Sequence, residues 1–206
     1  MSRVNANKPG VSFLYGNGGT SKTFIWRAMS AALWSKGEIV LTVASSGIAT
    51  LLIPGGRTTH SRFGIPIMID ECSTWDMHPK SHLAELVCKE KLIIWNEVPM
   101  LHRHCFEAVD HNFRDILRPD NGDHTYIPFG GKVIVFGGDF RQILSVIPKG
   151  TRQEVAHASI NSHGQPYVAI SRVTSRNELK ILLTDEYCDC ITTTSNVVYK
   201  EIFRNL

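Results

Sequence analysis

The stretch Gly16-Asn17-Gly18-Gly19-Thr20-Ser21-Lys22-Thr23 brings three glycines, three hydroxyl side chains and one lysine together in eight consecutive positions. Glycines ahead of a helix let backbone N–H groups wrap phosphate oxygens, and the helix N-terminus adds a favourable dipole. In such a loop Gly16, Gly18, Gly19, Thr20 and Ser21 form the cradle. Lys22 then reaches the β- and γ-phosphates of a nucleoside triphosphate such as ATP, and Thr23 offers its hydroxyl to Mg²⁺. An ordinary glycine-rich turn is the competing reading. The Lys22-Thr23 pair, an apolar strand just before and a helix just after favour the phosphate loop. One position departs from the strict pattern: Ser21 stands where glycine is expected. A Cβ there hinders close backbone approach and costs about 1 kcal/mol or more.

A second acidic element lies downstream, where Leu92-Ile93-Ile94-Trp95 runs into Asn96-Glu97. An apolar strand ending in two acids is the usual holder of Mg²⁺ and of the attacking water. Here Asn96 keeps the shape of the first acid without its charge, so the metal set reads as Thr23 and Asn96. Glu97 retains a carboxylate suited to polarising water.

Two cysteine-bearing clusters raise the question of zinc. Cys188 and Cys190 form half a site with no second ligand pair at workable spacing. His102, His104 and Cys105 read better as a polar helix start followed by a buried thiol. The five cysteines form no disulfide framework, which points to a reducing compartment.

The elements needed to hold these residues alternate as in a parallel α/β sheet. Strands are expected at residues 11–15, 38–44, 92–95, 132–136 and 179–183. A helix over residues 22–35 carries Ile25, Ala28, Met29, Ala32 and Leu33 on one face. Phe106, Val109, Phe113 and Leu117 mark a second long helix that stops before Pro119. Residues 151–160 read as a short helix and residues 167–171 as a short apolar piece.

With 206 residues, 43% hydrophobic and 20% charged, the composition is that of a globular domain and argues against disorder. A net charge of +3 permits a nucleic-acid partner without arguing for one. No apolar run approaches the ~18–20 residues of a membrane span. The polar residues before the first strand are too few for a transit peptide.

Three further stretches carry a family resemblance. Ala44-Ser45-Ser46-Gly47-Ile48-Ala49, followed by Gly55-Gly56-Arg57-Thr58-Thr59-His60-Ser61-Arg62-Phe63, resembles the second conserved block of the PIF (petite integration frequency) family of ATP-dependent DNA helicases. Gly137-Gly138-Asp139-Phe140-Arg141-Gln142 resembles the family's third motif, and Gln165-Pro166-Tyr167-Val168-Ala169-Ile170-Ser171-Arg172-Val173-Thr174 its last. With the phosphate loop and Asn96-Glu97, five blocks stand in the family's order.

The resemblance implies a P-loop NTPase of RecA-like fold, a parallel sheet flanked by helices. In the family two such lobes close on ATP and Mg²⁺ and grip single-stranded or forked DNA. It further implies 5′-to-3′ unwinding in repair, recombination and telomere maintenance, in the nucleus and also the mitochondrion. By position, Glu97 activates water, Gln142 senses the γ-phosphate and Arg172 is the arginine finger. His60, Ser61 and Phe63 fall in a DNA-binding block. Phe63 could stack on a base or be a buried aromatic.

Most of the family's second lobe would lie between Gly150 and Gln165, where only about a dozen residues stand, too few for half a domain. Residues 10–160 are therefore expected to form a RecA-like ATPase lobe, and residues 161–206 a remnant of the second lobe. The segment upstream that would contact adenine is likewise missing. An impaired helicase and a catalytically inactive nucleotide-binding remnant both fit. A small kinase does not, for want of a lid and of an acceptor-binding role for Ser171-Arg172.

Overall fold

A computed structural model describes residues 4, 6, 8–16, 22–69, 77–78, 80–117, 127–139, 145–159, 179–184 and 190–191. Among them, β1 (Gly10–Tyr15), β2 (Val40–Ala44), β3 (Arg57–Thr58), β4 (Leu92–Asn96), β5 (Val133–Gly138), β6 (Leu179–Thr184) and β7 (Cys190–Ile191) form one sheet. Its order is β3-β2-β4-β5-β1-β6-β7. Every pairing is parallel except that of β6 with β7. The helices are α1 (Lys22–Trp34), α2 (Gly47–Leu51), α3 (Thr59–Phe63), α4 (His82–Lys89), α5 (Arg103–Ile116) and α6 (Arg152–Ala158). This is the expected α/β architecture, with each expected strand present to within two residues at either end.

β2 and β4 are buried at every position, as befits central strands covered on both faces. Period-two alternation sorts their side chains. Ile93 and Trp95 join a cluster with Phe106, Val109 and Phe113 of α5, whereas Leu92 and Ile94 join Trp26 and Leu33 of α1. The same alternation sends Ile134 and Phe136 of β5 toward α5, and Val133 and Val135 toward α1.

Two expectations need correction. The buried residues of α1 are Lys22, Trp26, Ser30 and Leu33, with Ile25 and Met29 partly buried and Ala28 exposed. The inward face is thus turned toward Trp26, whose indole packs against Gly137 near the end of β5. The short helices α2, α3 and α4 were not anticipated. Each opens on a hydroxyl cap, with Ser46, Thr58 and Ser81 accepting from the N–H of Ala49, Ser61 and Ala84.

β6, from the segment expected to be a second-lobe remnant, lies beside β1 in the same sheet, and β7 lies outside it. Residues 160–178, which include the 167–171 piece, lie outside the described residues.

Candidate nucleotide site

The chain leaves β1 for β2 on one side of it, while β6 occupies the other side. That reversal of direction opens a crevice beyond the C-terminal end of β1, where open α/β sheets bind ligands. Gly18, Gly19, Thr20 and Ser21 lie outside the described residues. The two ends of the loop are described. Gly16 follows β1, Lys22 begins α1, and Lys22 Nζ donates to the Gly16 carbonyl oxygen at 2.6 Å. Burial pushes the Lys22 pKa down, opposed by the negative charges of Glu97 and Asp139. Thr23 is half-buried on the first turn of α1.

Parity along β4 decides the fate of Asn96. Leu92 and Ile94 face α1, and Asn96, buried at 4% exposure, continues that face. There its Oδ1 accepts a hydrogen bond from Trp26 Nε1 at 3.1 Å. An indole N–H only donates, so the atom turned toward it must be the amide oxygen. Glu97, one residue on, leaves the strand in the left-handed region at φ 55, ψ 41. A residue with a Cβ adopts this conformation at a cost of roughly 1–3 kcal/mol, and such strain gathers at functional sites. The Glu97 pKa is raised by burial, lowered by Lys22 and raised again by Asp139.

β5 lies between β4 and β1, and Asp139 follows its last residue. The two glycines before it are there for contact. A Cβ on Gly137 would overlap the ring of Trp26, and one on Gly138 would overlap Pro99. Asp139 itself is buried, at 4% exposure. Its interaction with Lys22 and Glu97 was not anticipated from the sequence, although the Gly137-Gly138-Asp139 run was the available signal.

Glu97, Lys22 and Asp139 therefore gather at the ends of three adjacent strands. A threonine hydroxyl and a carboxylate are the hard oxygen donors that Mg²⁺ takes, and Thr23 and Asp139 are of that chemistry. Asn96 adds only a neutral amide oxygen already engaged by Trp26. Gln142 and Arg172 lie outside the described residues.

Of the expected DNA-contacting residues, Ser61 is exposed and His60 half-buried on α3. Burial lowers the pKa of His60. Phe63 takes the second of its two readings. It is fully buried, with ring centroids 5.7 Å from Trp95 and 5.5 Å from Phe113, so no base can reach it. Phe63, the apolar residue of α3, packs into the cluster on the α5 face.

The polar cluster at the start of α5 is structural. His102 caps the helix by accepting from the His104 N–H at 3.3 Å, and His104 pairs with Glu107 at 2.9 Å. Cys105 is buried, which pushes its thiol up to about 12. Among the described residues no three His, Cys, Asp or Glu side chains gather in a metal-binding group. Cys188 lies outside them.

A strand, a glycine loop and a helix, with a second strand inserted before the one bearing Glu97, define a P-loop NTPase of the RecA-like type. Within that class the chain belongs to the PIF1-like helicase family, whose family model matches residues 1–178. Among curated relatives, the ATP-dependent DNA helicase PIF4 of Trypanosoma brucei brucei is 32% identical over 146 residues, 69% of this chain and 17% of that one. This chain therefore spans less than a fifth of that relative's length. The crystal structure of Bacteroides Pif1 bound to ssDNA matches with a TM-score of 0.64 and 24% identity, over 98% of this chain and 44% of the other. That of Bacteroides Pif1 with ADP-AlF3 and ssDNA matches with a TM-score of 0.63 and 23% identity, over 98% and 44%.

Proposed function

We propose that this chain is the nucleotide-binding motor lobe of an ATP-dependent DNA helicase, acting with ATP, Mg²⁺ and single-stranded or forked DNA. The observation that carries this reading is Lys22, tied to Gly16 at the end of β1 and facing the charges of Glu97 and Asp139. A buried ammonium between a phosphate loop and two carboxylates is suited to a triphosphate, whose negative charge it offsets.

In this reading the backbone of residues 16–21 holds the phosphates, and Lys22 draws charge from the γ-phosphate as its bond to the β-phosphate breaks. Thr23 and a carboxylate at the strand ends would hold Mg²⁺, which would offset the charge of the triphosphate. Glu97, raised in pKa by burial, accepts a hydrogen bond from the attacking water and orients it. Gln142 senses the γ-phosphate, and Arg172 completes the charge stabilisation as an arginine finger. His60 and Ser61 on α3 lie on the path of the DNA strand. The inferred work is 5′-to-3′ unwinding in repair, recombination and telomere maintenance, in the nucleus and also the mitochondrion. Residues 10–160 form the lobe, and residues 161–206 derive from a second one.

A second reading, a nucleotide-binding module that neither hydrolyses nor unwinds, is favoured by one observation. Asn96 brings no charge to the metal side of the site and is committed to Trp26. Binding of a fluorescent ATP analogue and separation of a forked duplex test both. Lys22→Ala is expected to weaken nucleotide binding at least ~10-fold, about 1.4 kcal/mol. Equal binding by the variant rejects the phosphate-loop assignment. Strand separation above the Lys22→Ala background selects the helicase, and binding without it selects the inactive module.

A further inference from the structure

We propose that Asp139, at the exit of β5, is the carboxylate that supplies anionic charge to the Mg²⁺-bound nucleotide, taking over from the uncharged Asn96 at the exit of β4. The proposal rests on the nucleotide-binding reading above and assigns the metal side of that same site.

The first support is what Asn96 does instead. Its amide oxygen accepts from Trp26 and the residue is buried between β4 and α1, so it works as a peg for the phosphate-loop helix. A neutral amide oxygen is also a poorer partner for a hard dication than a carboxylate.

The second is where Asp139 stands. Adjacent strands are ~4.8 Å apart, so the exit of β5 is one strand from the phosphate loop and the exit of β4 is two, roughly 10 Å. Pairing of Tyr15 with Gly138 sets Asp139 level with Gly16, whose carbonyl anchors Lys22. Pairing of Trp95 with Phe136 sets Asn96 level with Gly137. Asp139 thus lies two residues farther along the strand direction, roughly 6–7 Å nearer the crevice.

The third is how firmly it is held. Trp26 packs against Gly137 and Pro99 against Gly138, so the end of β5 is in close contact on both faces.

The test measures affinity for a fluorescent ADP analogue in excess Mg²⁺ and in EDTA, with the ratio of the two affinities as the readout. The unaltered chain is expected to show a ratio of at least ~10, equivalent to about 1.4 kcal/mol. Asp139→Asn is expected to bring the ratio below ~2 while tightening binding in EDTA, because a negative charge beside the phosphates is gone. A thermal melt establishes that this near-isosteric variant folds. Asn96→Asp provides an arm that does not depend on it and is expected to change the ratio less than ~2-fold, since the charge is already supplied. A ratio in Asp139→Asn equal to that of the unaltered chain, no Mg²⁺ dependence at all, or a tenfold gain in Asn96→Asp overturns the proposal. Lys22→Ala separates the two readings. If it fails to weaken binding, the phosphate loop itself falls. If it weakens binding while Asp139→Asn keeps the Mg²⁺ ratio, only the placement of the metal charge falls.

Discussion

On the α5 face of the sheet, Trp95 meets Phe106 at 4.8 Å and Phe136 at 5.5 Å, and Phe63 and Phe129 extend the aromatic cluster. On the α1 face the packed side chains are fewer, and Lys22, Ser30 and Asn96 are buried among them. The two tryptophans state the contrast in one residue type. Trp26 Nε1 donates to Asn96, whereas Trp95 Nε1 has no hydrogen-bond partner among the described residues. Burying an indole N–H without a partner costs roughly 1–3 kcal/mol, which the rings packed around Trp95 must offset. The α5 face therefore serves as ballast, tolerant of an unsatisfied donor because it buries so much apolar area. The α1 face gives up apolar area to place a lysine, an amide and a glycine where the phosphate loop needs them.

Emptying the ballast should have the largest effect. Phe113→Ala removes a fully buried ring from the α5 face and is expected to cost about 3–5 kcal/mol in urea unfolding. Nucleotide affinity of the folded fraction should stay within twofold, about 0.4 kcal/mol. Loss of affinity without loss of stability would erase the distinction between the faces.

Gly137→Ala probes the other face by pressing a methyl into the Trp26 ring. About 1–3 kcal/mol of destabilisation is expected, accompanied here by weaker nucleotide binding, because the ring can retreat only by moving α1. A variant that binds nucleotide normally would show that α1 is not keyed to β5.

The indoles give a sharper and smaller contrast. Trp26→Phe leaves Asn96 buried without its donor, while Trp95→Phe removes a donor that had no partner. Both lose ring volume, so the difference isolates the hydrogen bond. Trp26→Phe is expected to be the more destabilising by about 1 kcal/mol. Equal costs would mean that the Trp26–Asn96 bond contributes nothing net.

The last comparison lies away from both faces, at Glu90. Its carboxyl is buried and pushed up to about 7, mainly by burial and against the pull of Lys132. Lys132 Nζ lies 3.3 Å from Glu90 Oε1 but also donates to the Cys88 and Glu90 carbonyl oxygens, at 2.9 and 3.2 Å. The carboxylate is thus thinly served. The folded chain holds the proton up to about pH 7, while the unfolded chain releases it near 4.5. This contribution to stability is complete below about 4.5 and is lost as pH rises through about 7. Glu90→Gln should flatten that decline across the window. An unchanged pH profile of urea midpoints would place the titrating group elsewhere.

Much of the fold was legible because it rests on short-range patterns. β4 and β5 announced themselves as apolar runs, and α5 as the repeat of Phe106, Val109 and Phe113, all fully buried as expected. The hydroxyl caps Ser46, Thr58 and Ser81 were equally present in the sequence, but helices of five to eight residues carry too little periodicity to stand out. The inward face of α1 was misread by part of a turn, since Trp26 is buried by what lies across from it, Gly137 and Asn96. Phe63 was ambiguous for the same reason: a short helix shows whether it is capped, not which side meets a sheet.

By itself, then, the sequence determined the class of chemistry, because a phosphate loop is a local object: glycines, a lysine and a threonine within eight positions, between a strand and a helix. It also determined that position 96 carries no charge. Only the tertiary structure decided what stands near that loop. Asp139 is far from Lys22 along the chain, and the parallel register of β5 against β1 brings it level with Gly16. Asn96 is turned to a structural task because strand parity points it at Trp26. Side-chain type travels with the sequence, whereas proximity between strand ends is set by sheet order, which no local pattern encodes.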